Sequence, residues 1–117
     1  MAREIVFYRT AAGRCQVEEF LDSLSGKQAQ KVAWVLSLIE DLKIVPTRYF
    51  KKLVNTNDLW EVRVDSGNNT FRLLAFFDQK TIVVLAHGFQ KKSQKTPKKL
   101  IELAAERKAD YFLRSQS

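Results

Sequence analysis

The sequence predicts an α+β domain with the element order β-α-α-β-β-β-β-α. Two changes of pattern and one short signal predict it. Apolar residues recur at helical spacing between residues 17 and 42. The period then becomes two between residues 49 and 86. Finally, Thr96-Pro97 opens a last helix, with Thr suited to the N-cap and Pro to the first helical position.

Taken in order, Glu4-Ile5-Val6-Phe7-Tyr8 is β-branched and aromatic and predicts a first strand, broken by Gly13. Val17, Phe20, Leu21 and Leu24 lie on one face of a short helix. Ser25 and Gln28 stand at capping-box spacing before a longer helix carrying Val32, Val35, Leu36, Ile39 and Leu42, which should end before Pro46. The short connection makes the two a helical hairpin. A short strand spans Tyr49 to Val54. Leu59 to Val64 alternates, with Trp60, Val62 and Val64 on one face and Glu61 and Arg63 on the other. The turn residues 65–69 fold the next strand, Thr70 to Phe77, back as a hairpin. Thr81 to Ala86 is nearly all apolar and predicts a central strand covered on both faces. Residues 87–95 read as a polar, basic loop, and the last helix runs from about Pro97 to Leu113. The expected packing is an antiparallel sheet with helices on one side. Trp34 and Trp60 read as helix–sheet packing residues.

The 117 residues suit one domain, 1–117, and 45% hydrophobic content excludes disorder. Cys15 is the lone cysteine, so there is no intrachain disulfide and no cysteine-based zinc site. No apolar run approaches a membrane span, and the first residues lead into a strand rather than a signal core, so a cytoplasmic location is expected. The net charge of +7 is unevenly placed. Residues 1–45 hold six basic and six acidic residues, whereas 46–117 hold fourteen and seven. A one-sided basic field points to a polyanion; a solvated lysine-rich surface is the plainer reading.

Two motifs carry more. One is Leu59-Trp60-Glu61-Val62-Arg63-Val64, a turn, then Phe71-Arg72-Leu73-Leu74. The other is the run from His87-Gly88-Phe89-Gln90 through Lys91, Lys92 and Lys95 to Thr96-Pro97. With the element order, they resemble the RelE/ParE superfamily of toxin–antitoxin toxins, and more narrowly its phage-derived HigB branch. The resemblance covers nearly the whole chain. It implies a RelE-like fold: a twisted, mainly antiparallel sheet, an N-terminal helical hairpin and a C-terminal helix. It also implies a ribosome-associated endoribonuclease that cuts messenger RNA on the 70S ribosome without a metal or cofactor. The implied partner is a small helix-turn-helix, HigA-like antitoxin. The superfamily's gyrase-poisoning ParE branch has the same fold, so a gyrase inhibitor that cuts nothing is the alternative. A non-catalytic RNA-binding prophage protein is a third reading.

RNA supplies its own nucleophile, the 2′-hydroxyl beside the scissile phosphate. The enzyme must remove its proton, stabilise the phosphorane and protonate the leaving 5′-oxygen. The single His excludes a two-histidine mechanism, and the scattered acids do not suggest a metal site.

Arg63 and Arg72 are the first candidates, on consecutive strands and able to lie side by side depending on register. In the resembling toxins basic residues at matching positions contact the phosphate, for which a planar, always-charged fork is suited. Their plain alternative is an ion pair with Glu61 or Asp65. Lys91, Lys92 and Lys95 are the candidates for proton transfer, Lys91 and Lys92 first, because a lysine crowded by cations has a lowered pKa. Gln90 and Thr96 stand where some relatives carry Arg and Tyr. His87 is a candidate general base, or a strand-end histidine bonded to backbone. Lys51, Lys52, Phe89, Lys95, Lys98 and Lys99 are candidates for RNA contact. For Phe89 the alternative is packing under the last helix, and for Lys91, Lys92 and Lys95 the alternative to proton transfer is phosphate steering without chemistry.

Overall fold

A computed structural model describes residues 2–116; of the expected domain, Met1 and Ser117 lie outside the described residues. The elements are β1 (Glu4–Phe7), α1 (Gln16–Asp22), α2 (Gly26–Asp41), β2 (Phe50–Lys52), β3 (Trp60–Ser66), β4 (Asn69–Asp78), β5 (Ile82–Gln90) and α3 (Lys98–Ser115). This is an α+β arrangement with the expected element order. Ser25 accepts from the Gln28 N–H while Gln28 caps back, so the capping box forms at the start of α2.

The five strands form one sheet in the order β1-β5-β4-β3-β2. All neighbours are antiparallel except β1 and β5, which run parallel and make the sheet mixed. As its apolar run predicts, β5 is internal, with Val83 to Ala86 buried.

The expectation of helices on one side is overturned. α1 and α2 cover one face, where Val17, Val32, Val35 and Ile39 meet Val62, Val64, Leu73 and Leu85. α3 covers the other, where Ala104, Ile101 and Phe112 meet Leu59, Leu74, Phe76 and Val84. The reason lies in β4, which is apolar on both sides of its pleat: Phe71, Leu73 and Ala75 point one way, Leu74 and Phe76 the other. Leaving either face in water would forfeit about 25 cal/mol per Å² of apolar surface.

β5 also runs four residues beyond its predicted end and absorbs His87 to Gln90, whose polarity predicts a loop. The continuation pairs with β4 across a bulge: Leu74 faces His87 while Ala75 faces Leu85, leaving Ala86 without an opposite number. The Ala86 carbonyl is held by Arg107 of α3, whose Nη1 donates to it at 2.6 Å. Bulge and helix thus fix each other.

Gly88 has a packing role. A Cβ there would lie 2.5 Å from Cδ2 and 2.9 Å from Cε2 of Phe20, whose ring meets Phe71 edge-on. Gly88→Ala is expected to destabilise the protein by about 1–3 kcal/mol through overpacking. An unchanged midpoint in urea unfolding would show that α1 yields instead.

Two tyrosine–aspartate bonds anchor the far half of α3. Tyr8 donates to Asp110 and Tyr111 to Asp78, both at 2.6 Å. Burial, followed by the bond to Asp78, pushes the Tyr111 hydroxyl up to about 12. Because the folded pKa lies above the ordinary 10.0, this contribution is complete below pH 10 and is lost as pH rises towards 12. Wild-type stability should therefore fall between about pH 9 and pH 12 more steeply than that of Tyr111→Phe. Urea midpoints across that range check it; equal slopes would contradict it.

Candidate functional site

α3 starts level with Glu61 and Leu74 and runs towards Tyr8 and Asp78. The hairpin end of the same sheet face is consequently not covered by helix. Its floor is set by register. The two-residue turn Gly67–Asn68, with Gly67 at φ 61°, pairs Ser66 with Asn69 and so brings Arg63 directly opposite Arg72. Phe89 is the next neighbour across β5, opposite Arg72.

Two like charges face to face on adjacent strands repel. Glu61, on the same face and only 3% exposed, offsets this. Its Oε1 lies 3.4 Å from Arg63 Nε and 3.3 Å from Arg72 Nε. Its Oε2 accepts from the Thr96 hydroxyl at 2.5 Å. Thr96 is therefore not the N-cap the sequence suggests. Pro97 holds that position without a side-chain cap, because the Thr96 hydroxyl is committed to a buried carboxylate, a stronger acceptor than a neutral group. The bond ties the 91–96 segment to the arginine pair.

Arg72 is buried. Its Nη1 donates to the Phe71 carbonyl at 2.9 Å and lies 3.8 Å from Asp65. Burial lowers its pKa, Glu61 raises it and Arg63 lowers it again. The contacts of both arginines with Glu61 are ion pairs without hydrogen-bond geometry, so Arg63 Nε and Arg72 Nε are buried donors with no acceptor. An incoming oxyanion could supply acceptors to these guanidinium groups.

Two adjoining hollows open over this floor. One, about 430 Å³, is lined by Thr70, Arg72, Lys91, Lys92, Ser93 and Gln94. The other, about 260 Å³, is bordered by Lys51, Lys52, Glu61, Arg63, Lys91, Lys95 and Thr96, among others. Lys91 borders both. Seven cationic side chains and a single acidic one line the two together. The arrangement is a shallow cationic cleft with a guanidinium pair at its base.

The structure therefore brings Arg63, Arg72, Lys91, Lys92, Lys95, Lys51 and Lys52 together. Lys51 pairs with Glu61 across β2 and β3, which puts it on the cleft side of the pleat; Lys52 makes an ion pair with Asp58 at 2.9 Å. Lys98 and Lys99 are exposed at the start of α3, and neither borders these hollows; Lys99 instead borders one shared with Glu102 and Glu106. His87 sits on β5, not in a loop, and its Nδ1 faces Arg107 Nη1 at 3.2 Å. Since a guanidinium only donates, Nδ1 is the acceptor and the ring is neutral with its proton on Nε2. Burial, then the Arg107 charge, lowers its pKa. The partner shown for the ring is thus a side chain, Arg107, and not the backbone. Phe89 is half-buried against the α3 core and stacked on His87.

Glu61, Thr96 and Arg107 were not singled out for these roles from sequence. For Glu61 a signal existed: period two puts it on the face of Arg63, where an acid between a basic strand and a basic loop is the expected counter-charge.

Among the described residues no three of His, Cys, Asp and Glu converge as a metal site, and no helix is long and apolar enough to cross a membrane. No curated protein matches the chain. A family model, "Phage derived protein Gp49-like", matches residues 19–109, from α1 through most of α3 and across the whole cleft floor. The chain thus belongs to the phage-derived Gp49-like family, a family of RelE-type, toxin-like proteins.

Proposed function

We propose that this protein is the toxin of a type II toxin–antitoxin system, of the HigB kind, and that it cleaves messenger RNA on the 70S ribosome without a metal. The observation that carries the reading is the Arg63–Arg72 pair, face to face under a lysine-lined cleft, with each arginine lining one of its two hollows. That is what a phosphate gaining negative charge requires.

In this mechanism the scissile phosphate enters above Arg63 and Arg72. The adjacent 2′-hydroxyl loses its proton as its oxygen attacks phosphorus, and the two guanidinium groups hold the phosphorane oxygens. The bond to the 5′-oxygen breaks and that oxygen takes a proton, leaving a 2′,3′-cyclic phosphate and a 5′-hydroxyl. Lys91 and Lys92 transfer the protons, Lys91 foremost because it borders both hollows. Glu61 orients the guanidinium groups: its oxygens already face two arginines and Thr96. Lys51, Lys52 and Lys95 line the strand's path. A HigA-like helix-turn-helix antitoxin is the expected inhibitor.

The test uses programmed ribosomes and a short messenger. Cleavage should persist in a chelator and stop when the scissile nucleotide carries a 2′-deoxy sugar. Cleavage that survives the deoxy substitution would sink the 2′-hydroxyl mechanism. Growth arrest with no RNA cleavage and a loss of DNA supercoiling would replace it by gyrase inhibition.

A further inference from the structure

The basic cleft does not end at Arg63. β2 begins at Phe50, opposite Val62, so the sheet edge is open beside Arg63 apart from one bond to the Tyr49 carbonyl. A third hollow, about 180 Å³, lies at this edge, lined by Lys31, Arg48, Tyr49, Arg63 and Asp65. Arg63 borders both it and the cleft.

Beside that hollow stands Trp34, which is not the packing residue the sequence suggests. The apolar stripe of α2 is Val32, Val35, Leu36 and Ile39; Trp34 falls off it and is 44% exposed. Trp60, by contrast, does pack, stacked on Phe50 at 4.8 Å. The Trp34 ring meets Tyr49 edge-on, with centroids 5.5 Å apart. Lys31 Nζ lies 4.5 Å from the Trp34 centroid, and the Arg48 guanidinium 4.7 Å from that of Tyr49. An exposed indole set among cations, next to a hollow with three cations and one acid, combines the two features that bind unpaired nucleic acid: a stacking face and phosphate-neutralising charge.

We propose that Trp34, Tyr49, Lys31 and Arg48 form a second subsite for the same RNA strand. One unpaired base stacks on Trp34, and its phosphate lies among Arg48, Lys31 and Arg63. The strand then leaves the cleft over the open β3 edge towards α2, with Arg63 the hinge of the path. The proposal rests on the cleft being an RNA site, and it adds a determinant of how many nucleotides the protein holds.

The test measures binding, not cleavage. Fluorescence anisotropy would compare uncleavable 2′-O-methyl oligoribonucleotides of about four and about eight nucleotides, spanning one and two subsites. Wild type should bind the longer one about tenfold more tightly. Trp34→Ala should erase that gain and leave the affinity for the shorter one unchanged, whereas Trp34→Phe should keep most of it. Removing Lys31 and Arg48 together should lower the salt slope for the longer oligonucleotide by about one. A length gain untouched by Trp34→Ala would overturn the proposal. So would a Trp34→Ala change that dissolves a dimer in sedimentation and leaves RNA affinity intact, since the face would then be a contact between copies. If wild type binds neither oligonucleotide, the cleft itself is misread.

Discussion

Arg72→Ala is expected to lower the rate of RNA cleavage by about 10²–10³-fold, the loss typical of removing one preorganised donor from a developing oxyanion. Arg72 is fixed before any substrate arrives: its Nη1 is bonded to the Phe71 carbonyl, its Nε faces Glu61, and its stem is buried beside Phe89. A side chain so held has little conformational freedom left to lose when phosphate binds, so its contribution should fall on the rate more than on affinity. Arg72→Lys keeps a charge without the planar fork and should recover only part of the rate. Single-turnover cleavage with saturating ribosome complex separates the two effects. If lysine serves as well as arginine, Arg72 steers the strand and does not orient the phosphorane. A gyrase-binding protein would show that pattern.

Glu61→Gln should be the most destabilising of the polar substitutions, by about 3 kcal/mol. The carboxylate is buried between two guanidinium groups that face each other across β3 and β4. Removing its charge leaves two cations in contact and largely out of water. The Thr96 tie is weakened at the same time, so the lysine segment should loosen. The check is a double-mutant cycle in urea with Glu61→Gln and Arg72→Gln. The pair together should cost less than the sum of the singles, because the second change relieves the repulsion left by the first. Strict additivity would mean that the ion pair is too solvated to matter.

Much of the fold was legible because hydrophobic period distinguishes helix from strand without tertiary information. The change from helical spacing around Val35 and Ile39 to alternation around Trp60 and Val62 gave the element order. Period alone says less about a strand that is apolar on both faces. In β4, Leu74 and Phe76 point away from the helical hairpin, and only the position of α3 over Ala104 and Phe112 shows what covers them. The end of β5 was missed for a different reason. His87, Gly88, Phe89 and Gln90 look like loop by polarity, yet they gain a full strand partner once the bulge at Ala86 restores the register with β4.

The candidate site was legible as a set of residue types, not as a geometry. Strand arginines and a lysine-rich run could be named, and the turn chemistry at 65–69 made a hairpin certain enough to bring the arginines near each other. Their direct opposition depends on a turn of two residues, which composition alone does not specify. Arg107 reaches His87 and Ala86 from a helix about twenty residues away, a contact with no local signature. Residue type alone predicts Trp34 to pack between helix and sheet, because an indole is usually buried. Its exposure follows from its angular position on α2, off the stripe that Val32 and Val35 define.

A cleft that cuts translated RNA through its arginine pair should leave a mark in growing cells. The measurement is to express the chain from a tight promoter and map transcript 5′ ends within minutes, comparing wild type with Arg72→Ala. The expected result is growth arrest with new 5′-hydroxyl ends inside translated reading frames, and their disappearance in the variant. Arrest without new ends, or ends that persist at wild-type levels in Arg72→Ala, would contradict it.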